Sequence, residues 1–239
     1  MKMVLADERN KKVMVAMDVD SREQALLIAR QLQGGGCWLK VGLELFCHYG
    51  EGIVRDFQAL GFPIFLDLKL HDIPNTVERT VKILGALGVE IINVHAGGGY
   101  EMMARAADAA RQIGENTGKE LKVIGVTVLT SLTEGQLQAE TGVARGLQEQ
   151  VTSLAQLAQK AGLDGVVASA REVTVLRQTL GEEFLLVTPG IRPPSAEHQD
   201  QARVSTPLQA LADGSSFLVV GRPITQAENP RQALEALWG

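Results

Sequence analysis

PIFLDLKL (63–70), running into HDIPNTVERTVKILGALG (71–88), carries the repeating unit of this chain: a buried strand, a short loop and an amphipathic helix. Phe65, Leu66 and Leu68 belong to a nearly continuous apolar run, the pattern of a strand covered on both faces. The helix is expected over 76–88. Two charged residues interrupt the strand. Successive strand side chains alternate between faces, so Asp67 and Lys69 are expected to share one. Asp72 follows in the loop.

The same unit recurs along the chain. Strands are expected at KVMVAMD (12–18), CWLKVG (37–42), VEIINVHA (89–96) and LKVIGVTVL (121–129). Further strands are expected at DGVVASA (164–170), EFLLVTPG (183–190) and SFLVVG (216–221). Amphipathic helices are expected at 21–33, 100–114, 146–161 and 230–238, with Ser21 and Gln24 as a capping box and Gly34 as the stop of the first. Eight strands alternating with helices predict a (β/α)8 TIM barrel, and 239 residues suit one such barrel spanning 1–239 as a single domain. A doubly wound sheet competes, but the first strand ends AMDVDSREQ, without the GxGxxG turn of that fold.

Composition narrows the function. A formal net charge of −5 argues against a nucleic-acid surface, while a small anion can still be held by a local cluster of Lys and Arg. No apolar run reaches the ~20 residues of a membrane helix, and MKMVLADERNKK lacks the apolar stretch of a signal peptide. Cys37 and Cys47 have no CxxC spacing; a reduced pair in a cytoplasmic protein is expected, although spacing alone permits a disulfide. His48, His71, His95 and His198 are scattered. Asp67 with His95 is the one conceivable metal pair, and no metal is expected.

Barrel chemistry sits at the C-terminal ends of the strands. Those ends supply Asp18, Lys40, Asp67, Lys69, Asn93, His95, Thr127, Thr130, Ser169, Thr188, Arg192, Gly221 and Arg222. Loop polarity explains part of this set, and a structural ion-pair network would also satisfy the lysines. Lys40 and Lys69, however, lie inside apolar runs, where an isolated charge costs several kcal/mol, so carboxylate partners are required. Asp18, Asp67 and Asp72 are the nearest. TPGIRPPS (188–195) and GRPIT (221–225) follow the seventh and eighth strands, the usual phosphate-binding position of this fold. Gly221 admits a close backbone approach and Arg222 offers forked donors. Arg192 and Gln201 lie in a polar stretch with the character of a lid.

FLDLKLHDIPNTV (65–77) resembles the signature of the orotidine 5′-phosphate decarboxylase family, D-x-K-x-x-D followed by I-P-N-T. VAMD, LKVG, INVHAGGG, VTVLTS, DGVVASA, TPGIRP and GRPIT extend the likeness over nearly the whole chain. The resemblance implies decarboxylation of orotidine 5′-monophosphate to uridine 5′-monophosphate, with no cofactor or metal. It implies a homodimer whose active sites are shared. Carried over by position, Lys69 is the proton donor, Asp67 sits against the substrate carboxylate, and Asp72 and Thr76 serve the neighbouring subunit's site. Lys40 and Asp18 contact the ribose, with Lys40 also joining an alternating array of Lys40, Asp67, Lys69 and Asp72. Thr130 and Ser131 hold the pyrimidine; Arg192, Gln201, Gly221 and Arg222 hold the phosphate. Two other readings remain open: a Mg²⁺-dependent phosphosugar decarboxylase or aldolase using the same motif, and a phosphoribosyl-binding barrel without catalysis.

Overall fold

The computed structural model describes residues 8–193 and 205–239. After a 3-10 turn at Glu8–Lys12 the chain forms β1 (Val13–Ala16), α1 (Arg22–Leu32), β2 (Trp38–Gly42), α2 (Leu43–Tyr49) and α3 (Glu51–Ala59). Then come β3 (Ile64–Leu70), α4 (Pro74–Gly85), β4 (Ile91–His95), α5 (Tyr100–Thr117) and β5 (Lys122–Val126). These are followed by α6 (Glu134–Thr141), α7 (Leu147–Lys160), β6 (Gly165–Val167) and α8 (Val173–Leu180). The chain ends with β7 (Leu185–Thr188), α9 (Pro207–Ala212), β8 (Phe217–Val220), α10 (Arg222–Thr225), α11 (Pro230–Glu235) and a 3-10 turn. All strands are parallel and paired in chain order, and β8 returns to β1 with Leu218 opposite Val13. This is the expected closed (β/α)8 barrel.

Strand limits differ from the sequence expectation in an informative way. The apolar run 121–129 leaves the sheet after Val126, and 164–170 leaves it after Val167. Val128 and Leu129 line a cavity at the barrel mouth instead, so their apolarity serves the site and not the ladder. At α1, Ser21 Oγ accepts from Gln24 N–H at 3.2 Å, and a left-handed Gly34 (φ 77°) follows its end. The reciprocal capping box belongs to Thr133 and Gln136 on α6.

Two apolar layers hold the barrel. Outside it, Ile28 and Leu32 of α1, Ile53 and Phe57 of α3, and Val77 and Val81 of α4 pack on the strands. Inside it, Met14, Phe65, Ile91, Ile124 and Val187 form a buried plug, bordered by Trp38 edge-on to Phe217 at 5.2 Å. Two residues further along β2, β3 and β4, the same inward face carries Lys40, Asp67 and Asn93. The polar layer therefore stands on an apolar floor. Trp238 closes the far end from outside, its indole N–H donating to Asn10 Oδ1 at 2.7 Å, while Asn10 Nδ2 donates to Gly35 O at 2.9 Å.

Arg177 of α8 is the principal polar tie of that end. Its guanidinium donates to the carbonyls of Gly181, Glu182, Phe184 and Gly214 and to Ser216 Oγ, at 2.6 to 3.1 Å. It thereby joins the end of α8 to the starts of β7 and β8. Arg177→Ala is expected to lower unfolding free energy in urea by about 2–4 kcal/mol, since several half-buried carbonyls lose a charged donor. Arg177→Lys is expected to recover little, because one ammonium cannot span the fork. A loss below about 0.5 kcal/mol for Arg177→Ala, the usual range for a surface change, would contradict this role.

Candidate active site

Asp67 is the hub of the polar layer. Its Oδ2 lies 3.1 Å from Lys40 Nζ, and its Oδ1 lies 2.7 Å from Lys69 Nζ. Asn93 Nδ2 donates to the same Oδ1 at 2.6 Å. Lys40 Nζ also donates to Asp18 Oδ1 at 3.2 Å. The side chains grade from buried to open: Lys40 is 8% exposed, Asp67 11%, Lys69 31% and Asp18 63%. The contacts run Asp18–Lys40–Asp67–Lys69, two carboxylates alternating with two ammoniums.

Burial alone would push Asp67 up, yet the charges of Lys40 and Lys69, with hydrogen bonds from Lys69 and Asn93, hold it below the ordinary carboxylate value. Burial alone would pull Lys40 down, and the charges and hydrogen bonds of Asp67 and Asp18 raise it instead. The lowered carboxylate stabilises the fold above pH ~3.9, and this is lost as pH falls through its lower folded value. The raised ammonium stabilises it below pH ~10.4, and this is lost as pH rises through its higher folded value. Between those limits Asp67 and Lys40 are both charged.

Lys69 owes its position to an irregular backbone. It is the one non-glycine residue among those described with positive φ (52°), and the β3–β4 register shifts between Leu66 and Leu70. Strand alternation is broken there, so Asp67 and Lys69 meet through a bulge and not through a regular shared face. The Lys69 N–H freed from the ladder donates to Asn93 Oδ1 at 2.7 Å. Gly42 leaves room for the ammonium: a Cβ there would come within 3.2 Å of both Lys40 Nζ and Asp18 Oδ1.

A cavity of about 610 Å³ opens above this array. Asp18, Lys40, Asp67 and Lys69 line it together with Thr130, Arg192, Gly221 and Arg222. Val126, Val167 and Val219 supply apolar wall. Arg222 is the first residue of α10, directly after β8. Arg192 follows β7, and its N–H donates to Ser205 O at 3.1 Å. A Cβ at Gly221 would meet only Ala16, its Cβ at 3.5 Å and its O at 3.9 Å, both ordinary contacts. The protein alone therefore leaves room for a Cβ at 221.

The description "Orotidine 5′-phosphate decarboxylase / HUMPS family" belongs to the family profile that matches residues 11–237. The chain is 50% identical over 223 residues to orotidine 5′-phosphate decarboxylase of Pseudoalteromonas translucida, covering 93% of this chain and 94% of the relative. It is 51% identical over 227 residues to the enzyme of that name from Vibrio cholerae, covering 95% and 96%. The chain belongs to this family. A crystal structure of orotidine 5′-phosphate decarboxylase from Lactobacillus acidophilus superposes with a TM-score of 0.84 at 41% identity, over 95% of this chain and 96% of that one.

Within this family chain, the residues singled out from sequence fall into three groups. Asp18, Lys40, Asp67, Lys69, Thr130, Arg192, Gly221 and Arg222 converge on the cavity. Asp72, Thr76 and Ser131 are exposed and do not line it; Asp72 Oδ1 accepts from Ile73 N–H at 2.7 Å. Gln201 lies outside the described residues. Asn93 was noted from sequence only as a polar strand end, and its contacts with Asp67 and Lys69 give it a place in the array. His95 stands beyond it, its ring 5.4 Å from that of His71, and burial with the nearby His71 and Lys69 lowers its pKa. Among the described residues no group of three or more His, Cys, Asp or Glu is arranged to hold a metal, and no helix is long and apolar enough to cross a membrane.

Removing one member of a buried ion pair leaves the other unpaired, whereas replacing both with apolar groups does not. Lys40→Met is expected to lower stability in urea by about 1–3 kcal/mol, because Asp67 Oδ2 loses its partner while Lys69 and Asn93 still hold Oδ1. Lys40→Met combined with Asp67→Leu is expected to cost much less, because Lys69 is open enough to turn into water. A double-variant loss equal to the sum of the Lys40→Met and Asp67→Leu losses would show that the pair is not energetically coupled.

Proposed function

We propose that this protein decarboxylates orotidine 5′-monophosphate to uridine 5′-monophosphate in pyrimidine nucleotide synthesis, as a single-domain barrel acting in the cytoplasm without cofactor or metal. The observation that carries the reading is the Lys40–Asp67–Lys69 array facing a cavity whose opposite rim holds Arg192 and Arg222. Anionic substrate ends fit both sides. Arg222, Arg192 and the Gly221 backbone bind the phosphate, joined by Gln201. Asp18 and Lys40 bind the ribose, and Thr130 and Ser131 the pyrimidine. The free thiols of Cys37 and Cys47 accord with a reducing compartment.

The chemistry follows from the charge order. The substrate carboxylate is brought against Asp67. The bond from the ring carbon to the carboxyl carbon breaks, CO₂ leaves, and the electron pair stays on that ring carbon. The ring cannot delocalise it. Lys69 stabilises the developing charge and then donates a proton to the same carbon, leaving a neutral amine that solvent reprotonates. Asp67 repels the substrate carboxylate, and departure of neutral CO₂ relieves this repulsion. The ammonium is already in place, so no reorganisation is needed as the charge appears.

Magnitudes show that the array does not act alone. Highly proficient enzymes lower barriers by roughly 20 kcal/mol. One ion pair at 4 Å in an effective dielectric of 20 contributes about 4 kcal/mol. Binding of the remote phosphate supplies much of the rest by holding the pyrimidine against Asp67 and Lys69.

The protein is proposed to act as a homodimer with shared sites. Asp72 and Thr76 are exposed within a single chain, in a family whose motif places them in the neighbouring site. Beside them Ile73 is 65% exposed, and on the adjoining helices Ile83 is 69% and Tyr100 45% exposed, an apolar surface suited to a second copy.

Loss of the ultraviolet absorbance of orotidine 5′-monophosphate is expected in buffer containing EDTA. Activity that disappears with EDTA and returns with Mg²⁺ would favour the metal-dependent phosphosugar chemistry of related barrels, and ligand uptake without turnover would favour a binding protein. Lys69→Ala and Asp72→Ala homodimers are each expected to be nearly inactive. After subunit exchange, half of randomly paired dimers are mixed, and each mixed dimer has one intact site with Lys69 from one chain and Asp72 of the partner subunit. About one quarter of all sites should then recover under two-fold symmetry. Verified exchange without recovery would mean that Asp72 serves its own chain.

A further inference from the structure

Asn93 is fully buried at the middle of β4, and both ends of its carboxamide are committed. Its Nδ2 donates to Asp67 Oδ1, and its Oδ1 accepts from the Lys69 N–H. Chemistry fixes the orientation of the amide: a carboxylate can only accept here and a backbone N–H can only donate. The two contacts bracket the bulge from both sides. One locks the carboxylate that receives the Lys69 ammonium; the other holds the backbone of Lys69 itself, at the positive φ that a side chain seldom adopts.

We propose that Asn93 is a positioning residue for the decarboxylation: a two-ended clamp that holds the Lys69 backbone in its left-handed bulge and keeps the Asp67 carboxylate aimed at the Lys69 ammonium. Without the clamp, Lys69 has no acceptor for its N–H and no reason to keep φ at 52°. The regular strand would then draw it back toward the ladder with β4. Asp67 would keep its charge partners, yet its Oδ1 would lose the one donor that is neutral and immobile. Asn93 does not itself line the cavity, and its side chain bonds Asp67 and Lys69 and not the residues proposed to bind phosphate or ribose, so its effect should fall on the chemical step more than on binding.

This inference rests on the proposed role of Lys69, and the test separates the two. Asn93→Asp replaces the amide by a carboxyl of the same shape. Protonated, that carboxyl can still donate to Asp67 and accept from the Lys69 N–H. Ionised, it sets two carboxylates at hydrogen-bonding distance, and the pair titrates as a unit. The charged groups facing position 93 are Asp67 and Lys69 on β3 and, through Asp67, Lys40 on β2. The β5 neighbour is Ile124, and His95 lies two residues along β4. His95 is common to wild type and variant, so the ratio of their activities isolates the new carboxyl.

Rates and pH profiles with orotidine 5′-monophosphate decide the matter. Asn93→Asp is expected to approach within about tenfold of wild type at acidic pH, and then to fall about tenfold per pH unit above the apparent pKa of the pair. Asn93→Ala is expected to lose about 10²–10³-fold in kcat, the scale of one removed preorganising donor, with KM changed only a few-fold and no acid recovery. If Asn93→Ala does not fold, Asn93→Leu, of similar volume, provides the same comparison. The Asn93→Asp profile stands independently of both. A folded Asn93→Asp variant whose profile parallels wild type, or shows no acid recovery, overturns the clamp. So does an apolar variant that keeps kcat within threefold of wild type. An inactive wild type would instead overturn the proposed reaction.

Discussion

A carboxylate buried above the apolar plug of the barrel cannot remain charged on its own, and the architecture of the mouth answers that constraint. Asp67 takes Lys40 on one oxygen, and Lys69 and Asn93 on the other. Each donor comes from a different position: the neighbouring strand β2, the bulge of β3 itself, and β4. Satisfying one carboxylate therefore fixes three strands relative to each other and immobilises two ammoniums. Such an array is a poor way to gain stability, since well-packed apolar residues would serve as well. Its value is positional. In the proposed reaction, the group that meets a negative charge as it forms is already held and aimed.

The barrel supplies what that arrangement requires from its surroundings. Met14, Phe65 and Ile91 block the interior below, so the field lines of Lys69 and Asp67 are not screened by water from beneath. The loops after β7 and β8 bring Arg192 and Arg222 to the opposite rim. In the proposed reaction the anion-binding end and the reacting end are separate, which lets binding energy at one enforce geometry at the other. Arg177 and the Asn10–Trp238 contact at the far end close the barrel without touching this chemistry.

Much of this was legible in the sequence because barrel strands are buried on both faces and read as continuous apolar runs. Charged residues within such runs, Lys40, Asp67 and Lys69, stand out for the same reason. Three features were less legible. The β5 and β6 runs continue past their ladders, since residues such as Val128 line the cavity and keep the apolarity of a strand. α6 buries only Leu137, so it has no stripe to read, whereas α3, with Ile53, Val54 and Phe57, has one. The role of Asn93 depends on the β3 bulge, and a bulge is set by the register between two strands, which no single run reveals. Alternation correctly brought Asp67 and Lys69 together, but the backbone achieves it by breaking the alternation.

The central claim is that the negative charge of Asp67, and not merely its shape, organises the site. Asp67→Asn keeps the shape and an acceptor oxygen while removing the charge. Its kcat/KM for orotidine 5′-monophosphate, measured beside its unfolding curve, is the most direct test. A fall of at least about 10²–10³-fold in a folded protein is the predicted result, matching the loss of one preorganised electrostatic group. A folded Asp67→Asn enzyme with kcat/KM within tenfold of wild type would contradict the account.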